Sequence, residues 1–171
     1  PVVGLCPALP KRARFALVLE KAPERGAAGT RPVLTRRCVA DKLNPERART
    51  VVTEAAEQCA RTALPELAAP VSLDALLRDW PAGRALFFAD ELGGEPAAQA
   101  FAAHGTPAAI VVGPEGGFDE RERELLRAHP AVKPITLGPR ILRGETAAIA
   151  ALSLWMGTSG DWRDGRTSAL A

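Results

Sequence analysis

The chain is poor in the residue types that build metal centres and disulfide frameworks. Its only histidines are His104 and His129. Neither stands at metal-ligand spacing from another His, Cys or carboxylate pair, which argues against a metalloenzyme and against a His-based triad. The three cysteines, Cys6, Cys38 and Cys59, are odd in number and far apart. That fits neither a disulfide framework nor a structural zinc site, so they are expected as buried or free thiols. Long apolar runs are missing too. Ala108 to Val112 and Ala147 to Trp155, among the longest, fall far short of the roughly 20 residues of a membrane-spanning helix. No basic-then-apolar leader opens the sequence, which leaves the cytoplasm as the expected location.

What the chain does have is the make-up of one globular domain: 171 residues, 47% hydrophobic and 25% charged, enough to bury a core. Net charge is only +2, but it is unevenly spread. From Lys11 to Arg61 there are 12 Lys/Arg against 6 Asp/Glu, while the remainder carries 10 against 14. The first third is therefore where a polyanion would be drawn. Lys11, Arg12, Arg14, Arg36, Arg37 and Arg61 are the candidate contacts to an RNA backbone; the alternative is an Arg-rich, solvated surface.

Strand-like and helix-like runs alternate. Val2–Leu9 reads as a strand, Lys11–Lys21 as a helix and Arg31–Leu34 as a short strand. Asn44 caps a helix from Pro45 to about Thr62, and Ser72 caps a short one to Trp80. Then come a strand (Arg84–Ala89), a helix (Glu95–His104), a strand apolar enough to be buried on both faces (Ala108–Val112), a polar helix (Asp119–His129), a strand (Val132–Leu137) and a last helix (Glu145 to about Gly157). Leu64–Pro70 reads as a Pro/Ala loop and Thr158–Ala171 as a polar, mobile tail. The expectation is an α/β domain over residues 1–157, a mainly parallel sheet with helices on both faces. Ligands of such sheets bind beyond the carboxyl ends of the strands.

Two loops stand at that end. The first, Gly113-Pro114-Glu115-Gly116-Gly117-Phe118, leaves a buried strand and enters a helix rich in acids. Its glycines permit a close backbone approach to a ligand, although a tight turn alone would also use them. It lacks the Lys-Ser/Thr ending of a phosphate loop, and the acidic helix start repels phosphate. A phosphate-free, positively charged ligand fits better, and S-adenosylmethionine has that chemistry. The second loop, Leu137-Gly138-Pro139-Arg140-Ile141-Leu142-Arg143, pairs a Gly-Pro turn with an apolar pair able to sandwich an adenine ring. Arg143 so close to a helix N-terminus is unfavourable for the helix dipole, which suggests that it serves an anionic substrate or faces Glu115.

Together, Val112-Gly113-Pro114-Glu115-Gly116-Gly117-Phe118 and Leu137-Gly138-Pro139-Arg140-Ile141-Leu142-Arg143-Gly144-Glu145-Thr146-Ala147 resemble the last two motifs of the SPOUT methyltransferases. The second form is similar, more narrowly, to the bacterial 16S ribosomal RNA uridine N3-methyltransferase family. Glu20-Lys21-Ala22 with Glu24 and Gly26, Arg37-Cys38-Val39, and Glu54-Ala55-Ala56-Glu57-Gln58 with Arg61 agree in order and spacing. The resemblance runs from Val2 to Leu154 and implies a C-terminal trefoil knot, S-adenosylmethionine as cofactor, and 16S ribosomal RNA or the small subunit as partner. It also implies a homodimer with the target base near the interface, and an N-terminal PUA-like RNA-binding domain not found in this chain. Pro23, Arg25 and Gly144 depart from the pattern.

The expected cofactor-binding residues are Val112, Gly113, Glu115, Gly116, Gly117, Leu137, Gly138, Ile141, Leu142, Arg143 and Thr146. Methylation at uracil N3 requires loss of a proton, and positive groups could stabilise the developing anion. Arg143 is the first candidate for that role and Arg140 the second, with Glu115 orienting Arg143 or the cofactor ammonium and Glu145 or Thr146 completing the site. Both arginines could instead simply pair a phosphate or carboxylate. Competing readings are a methyltransferase acting on transfer RNA or a ribose hydroxyl, a non-catalytic RNA-binding accessory domain, and a nucleotide-binding regulatory module. The missing phosphate-loop lysine disfavours the last.

Overall fold

The central strand of the molecule, β8 (Ala108–Val112), is Ala-Ala-Ile-Val-Val with all five residues buried. Such a strand has no solvent face, so both of its sides must be covered by packed elements. The computed structural model describes residues 2–8, 12–38 and 43–165, the side chain of Arg12 excepted. Lys11, the Arg12 side chain and residues 166–171 lie outside that set.

Around β8 the strands β1 (Val3–Pro7), β2 (Gly29–Thr30), β4 (Glu66–Leu67), β6 (Ala85–Ala89), β7 (Glu95–Pro96) and β9 (Val132–Thr136) complete a seven-stranded sheet. Its order is β4-β2-β1-β8-β6-β9-β7, and every neighbouring pair is parallel. Two further strands, β3 (Val33–Leu34) and β5 (Val71–Ser72), form a small parallel pair of their own.

Side-chain alternation along β8 divides the core. Ala108, Ile110 and Val112 face one layer, packed with Phe87 against α1 (Arg12–Glu24), α4 (Ala97–His104) and α6 (Gly144–Thr158). Ala109 and Val111 face the other, with Phe88 and Leu86 against α3 (Leu73–Arg78) and α5 (Glu120–Ala128). The remaining helix, α2 (Pro45–Gln58), lays Ala48 and Val52 on Phe15 and Leu19 of α1. The mainly parallel sheet with helices on both faces is therefore as expected.

Several boundaries differ, each for a local reason. Helix α1 runs through Pro23 to Glu24. A proline in the last turn removes one amide donor, and the chain then closes tightly, with Arg25, Gly26 and Ala27 donating back to carbonyls of residues 21–23. Helix α2 stops at Gln58 because Ala60 takes φ +58° and Arg61 N returns to Ala56 O at 2.9 Å. The Leu64–Pro70 segment contains β4, which pairs with β2. Residues Glu95 and Pro96 form edge strand β7 rather than the start of a helix; the residue before a proline is driven toward extended backbone, and an edge strand tolerates the missing donor. Thr158 belongs to α6, and beyond it Ser159 Oγ donates to Phe101 O at 2.8 Å before a short 3₁₀ turn, Asp161–Asp164.

Candidate active site

In the sheet order β8-β6-β9 the carboxyl ends of three adjacent strands open side by side. The loops that leave them line an open cleft. The segment after β6 supplies Asp90 and Glu91; the glycine-rich loop after β8 supplies Gly113, Pro114 and Gly117; the loop after β9 supplies Leu137 through Leu142. The last two loops also touch: a Cβ added to Gly144 would lie 3.2 Å from the carbonyl oxygen of Gly113. This contact gives a physical reason for glycine at position 144.

Of the residues expected to hold a cofactor, Val112, Gly113, Gly117, Leu137, Gly138, Ile141 and Leu142 line the cleft, and so does Arg140. Gly138 takes φ +112°, which a side-chain-bearing residue rarely adopts, so the turn into the apolar segment depends on it. Leu137 and Leu142 pack partly against the core, whereas Ile141 is 83% exposed at the mouth. Glu115, Gly116, Arg143 and Thr146 are outside the lining. Arg143 caps α6 without a side-chain cap bond and is exposed, as is Thr146. No ion pair to Arg143 is found among the described residues.

The expected partnership of Glu115 with Arg143 is replaced by another. Glu115 forms an ion pair with Arg14 of α1, whose Nε also lies 3.7 Å from Glu145 Oε1. The reason is topological: α1 and α6 pack on the same face, and this brings a basic side chain of the first third between two acids at the site. One oxygen of Glu145, Oε2, is buried with no hydrogen-bond partner.

The other basic residues separate into two kinds. Arg61 is half-buried and donates to Pro23 O and Ala27 O, fastening α2 to the end of α1. Arg36 and Arg37 are exposed beside the glycine-rich loop. Arg37 Nη1 donates to Gly116 O at 2.8 Å, and Arg36 lies 3.6 Å from Asp119. Their segment is held by Glu122, a buried acid that accepts Arg36 N at 2.8 Å and Asp119 N at 3.0 Å. Asp119 reciprocates by accepting Glu122 N, so the start of α5 carries a complete capping box.

The acids after β6 were not singled out in the sequence. Asp90 is fully buried at its side chain and clamped by Arg123 and by Arg127, the latter at 2.5 Å; it also accepts Leu92 N at 3.0 Å. Arg123 Nη2 reaches Glu91 at 3.3 Å as well. The available signal was position: two acids directly after the apolar run Ala85–Ala89, at the same end of the sheet as the two conspicuous loops.

The arrangement suits an adenosine-like ligand without phosphates. Apolar walls stand on one side, acids on another, and the helix after the glycine-rich loop begins with Asp119, Glu120 and Glu122, a poor phosphate site. Among the described residues no cluster of His, Cys, Asp and Glu could hold a metal ion. No described helix is long and apolar enough to cross a membrane.

Comparison with known proteins agrees with this geometry. The chain is 36% identical over 160 residues to ribosomal RNA small subunit methyltransferase E of a Synechocystis strain, covering 88% of this chain and 52% of that protein. The chain thus spans about half the length of that relative. Ribosomal RNA small subunit methyltransferase E of Neisseria gonorrhoeae, solved with bound S-adenosyl methionine, superposes with a TM-score of 0.82 at 26% identity, over 92% of this chain and 65% of that one. A SpoU methyltransferase of Streptomyces viridochromogenes shares the fold, with a TM-score of 0.60 at 20% identity over 98% of this chain and 62% of that one. The family model described as RNA methyltransferase domain matches residues 1–156, and the chain belongs to that family.

Proposed function

We propose that this chain binds S-adenosylmethionine in the cleft and directs its methyl group to N3 of a uridine in the 16S ribosomal RNA of the small subunit. The observation that carries the proposal is the convergence of the Gly113–Gly117 and Leu137–Leu142 loops on one cleft at the carboxyl edge of the sheet. When bound, the cofactor supplies an electrophilic methyl group on a sulfonium. The chain's part is to hold the adenine against Leu137, Ile141 and Leu142, and to admit the backbone-close portion of the ligand at Gly113 and Gly117. Much of the acceleration in such a displacement comes from alignment of donor and acceptor, which fixed loops on a rigid sheet provide.

Arg143 stabilises the negative charge that develops on the uracil carbonyl oxygens as N3 releases its proton to solvent water, and Arg140 stands second in that role. Arg143's exposure and its lack of an ion pair among the described residues support this assignment. Thr146 is exposed in the first turn of α6, three residues on from Arg143. Glu115 and Gly116 act from behind the cleft, as the points where Arg14 and Arg37 grip the glycine-rich loop. Arg36 and Arg37 are the residues of the basic first third best placed to meet an RNA backbone. The same reading takes the working unit as a cytoplasmic homodimer with a knotted C-terminal half. Leu17 on α1 and Leu154 on α6, 38% and 37% exposed, supply apolar surface for the subunit contact.

The test is methyl transfer from labelled cofactor to small ribosomal subunits, compared with naked ribosomal RNA and transfer RNA, followed by nucleoside mass spectrometry. The expected product is N3-methyluridine in 16S RNA. A ribose-methylated or transfer RNA product would reassign the substrate. Cofactor binding with no transfer to any RNA would leave an RNA-binding accessory domain.

A further inference from the structure

The polar side chains that line the cleft are few, and most of them are spent on the protein itself. Asp90 Oδ1 accepts from Arg123 and from Leu92 N, and Oδ2 accepts from Arg127 Nε at 3.0 Å and Nη2 at 2.5 Å. Thr136 Oγ1 is turned into the Gly138 turn, donating to its carbonyl and accepting from its amide, both at 3.3 Å. Arg123 is divided among Asp90, Glu91 and Phe118 O. Arg140 has only donors.

Glu91 is different. Its Oε1 takes a single bond from Arg123 at 3.3 Å, its Oε2 has no partner among the described residues, and its side chain is 41% exposed at the cleft. Its place in the sheet is also telling. Ala89 pairs in register with Ile135 where the pairing of the two strands ends, so Glu91 leaves β6 at the same edge of the sheet as Leu137, where the apolar wall for adenine begins, and both line the cleft. Across the cleft it meets the glycine-rich loop: a Cβ on Gly117, which has φ +69°, would lie 2.7 Å from Glu91 Oε1. The carboxylate thus stands against the glycine-rich loop in the cleft that the adenine wall also lines, with one oxygen free to accept.

An adenosyl ligand carries two hydroxyl donors, on ribose carbons 2′ and 3′, immediately beside its base. A carboxylate offers acceptor sites for both, and bonds to an ionised acceptor are the stronger kind. We infer that Glu91 anchors the ribose of the cofactor by accepting hydrogen bonds from its vicinal hydroxyls. Arg123 then holds the Glu91 carboxylate in place, and Gly117 is small partly to leave it room. The inference rests on the proposed use of S-adenosylmethionine and adds the residue that distinguishes a ribosyl ligand from a deoxyribosyl one.

Calorimetry on the purified chain tests it, with S-adenosylhomocysteine, its 2′-deoxy and 3′-deoxy analogues, and 5′-methylthioadenosine, which keeps the ribose but has no ammonium. The wild-type chain should bind S-adenosylhomocysteine about 10- to 100-fold more tightly than the deoxy analogues. Glu91→Ala should abolish that discrimination and weaken 5′-methylthioadenosine as much as S-adenosylhomocysteine; Glu91→Gln, which keeps an acceptor oxygen, should fall between. Thermal melts of the unliganded variants should match the wild type, since Arg123 keeps its bond to Asp90. Discrimination that survives in Glu91→Ala overturns the inference. So does a loss confined to S-adenosylhomocysteine, which would mean that Glu91 meets the ammonium. If the wild-type chain bound no adenosyl ligand at all, the proposed function itself would fall.

Discussion

Arg143 stands at the N-terminus of α6, where a positive charge opposes the helix dipole, and it has no internal ion pair among the described residues to offset that cost. An exposed arginine in an unfavourable field is well used only if something negative arrives, and the developing uracil anion is such a group. Arg143→Ala should therefore lower kcat by about 100-fold or more, in line with removal of one oxyanion-stabilising donor, while leaving cofactor affinity nearly unchanged. Single-turnover methylation set beside calorimetric cofactor binding separates the two effects; equal losses in both would make Arg143 a binding residue. Glu115 shows the opposite case. The sequence puts it in a loop facing Arg143, and only the packing of α1 beside α6 reveals that Arg14 takes it instead. A pairing between residues 14 and 115 depends on tertiary structure, and no local pattern encodes it.

At the level of elements, the long periodic segments were legible and the short ones were not. Strands β6, β8 and β9 and helices α2, α3 and α5 fall close to where apolar periodicity and capping residues put them, with Asn44 and Ser72 accepting the amides expected of caps and Asp119, read as the first residue of α5, proving to be its cap. Strands β2, β4 and β7 have two residues each, too few for any period to show, and exist because a neighbouring strand edge is there to pair with. The cleft was half legible for the same reason. Gly-Pro loops announce themselves by composition, whereas Asp90 and Glu91 gain their meaning from directly following β6, the strand between β8 and β9 from which the two loops leave. Asp90 also ties elements together, since its two oxygens clamp α5 to the end of β6 through Arg123 and Arg127. Asp90→Asn would leave Arg123, 14% exposed, with only the more distant carboxylate of Glu91, at 3.3 Å, as a counter-charge. The expected loss is about 3 kcal/mol, the low end for breaking a buried pair because Arg127 is 44% exposed and stays hydrated. Urea unfolding monitored by far-UV circular dichroism would show it as a lower midpoint with an unchanged slope; an unshifted midpoint would mean that the clamp contributes little.

For the molecule as a whole, the sheet centre sets how stability responds to pH. Cys6 lies on β1, paired in register with Val111 of β8, and is 4% exposed. Burial pushes its thiol from the ordinary 9.0 up to about 12, with the nearby Arg84 and Arg31 charges opposing the shift only in part. Below pH 9 the thiol is protonated in native and unfolded chains alike, so its contribution to stability is fully present. Between pH 9 and about 12 the unfolded chain releases the proton while the native one retains it, and this contribution is progressively lost, at about 1.4 kcal/mol per pH unit. Denaturant midpoints should accordingly fall on going from pH 8 to pH 10.5, and Cys6→Ser or Cys6→Ala should flatten that fall. The same burial sets the reactivity of the thiol. Because β1 sits between β2 and β8 in the sheet interior, exposing Cys6 requires those pairings to break, so its alkylation at pH 8 should proceed only as fast as the chain opens. Mass spectrometry of peptides after timed labelling should find Cys6 unmodified while the half-buried Cys38 and Cys59 react first. Labelling of Cys6 at the rate of a free thiol in the native protein would show that the sheet opens locally and that its centre does not control the alkaline limit.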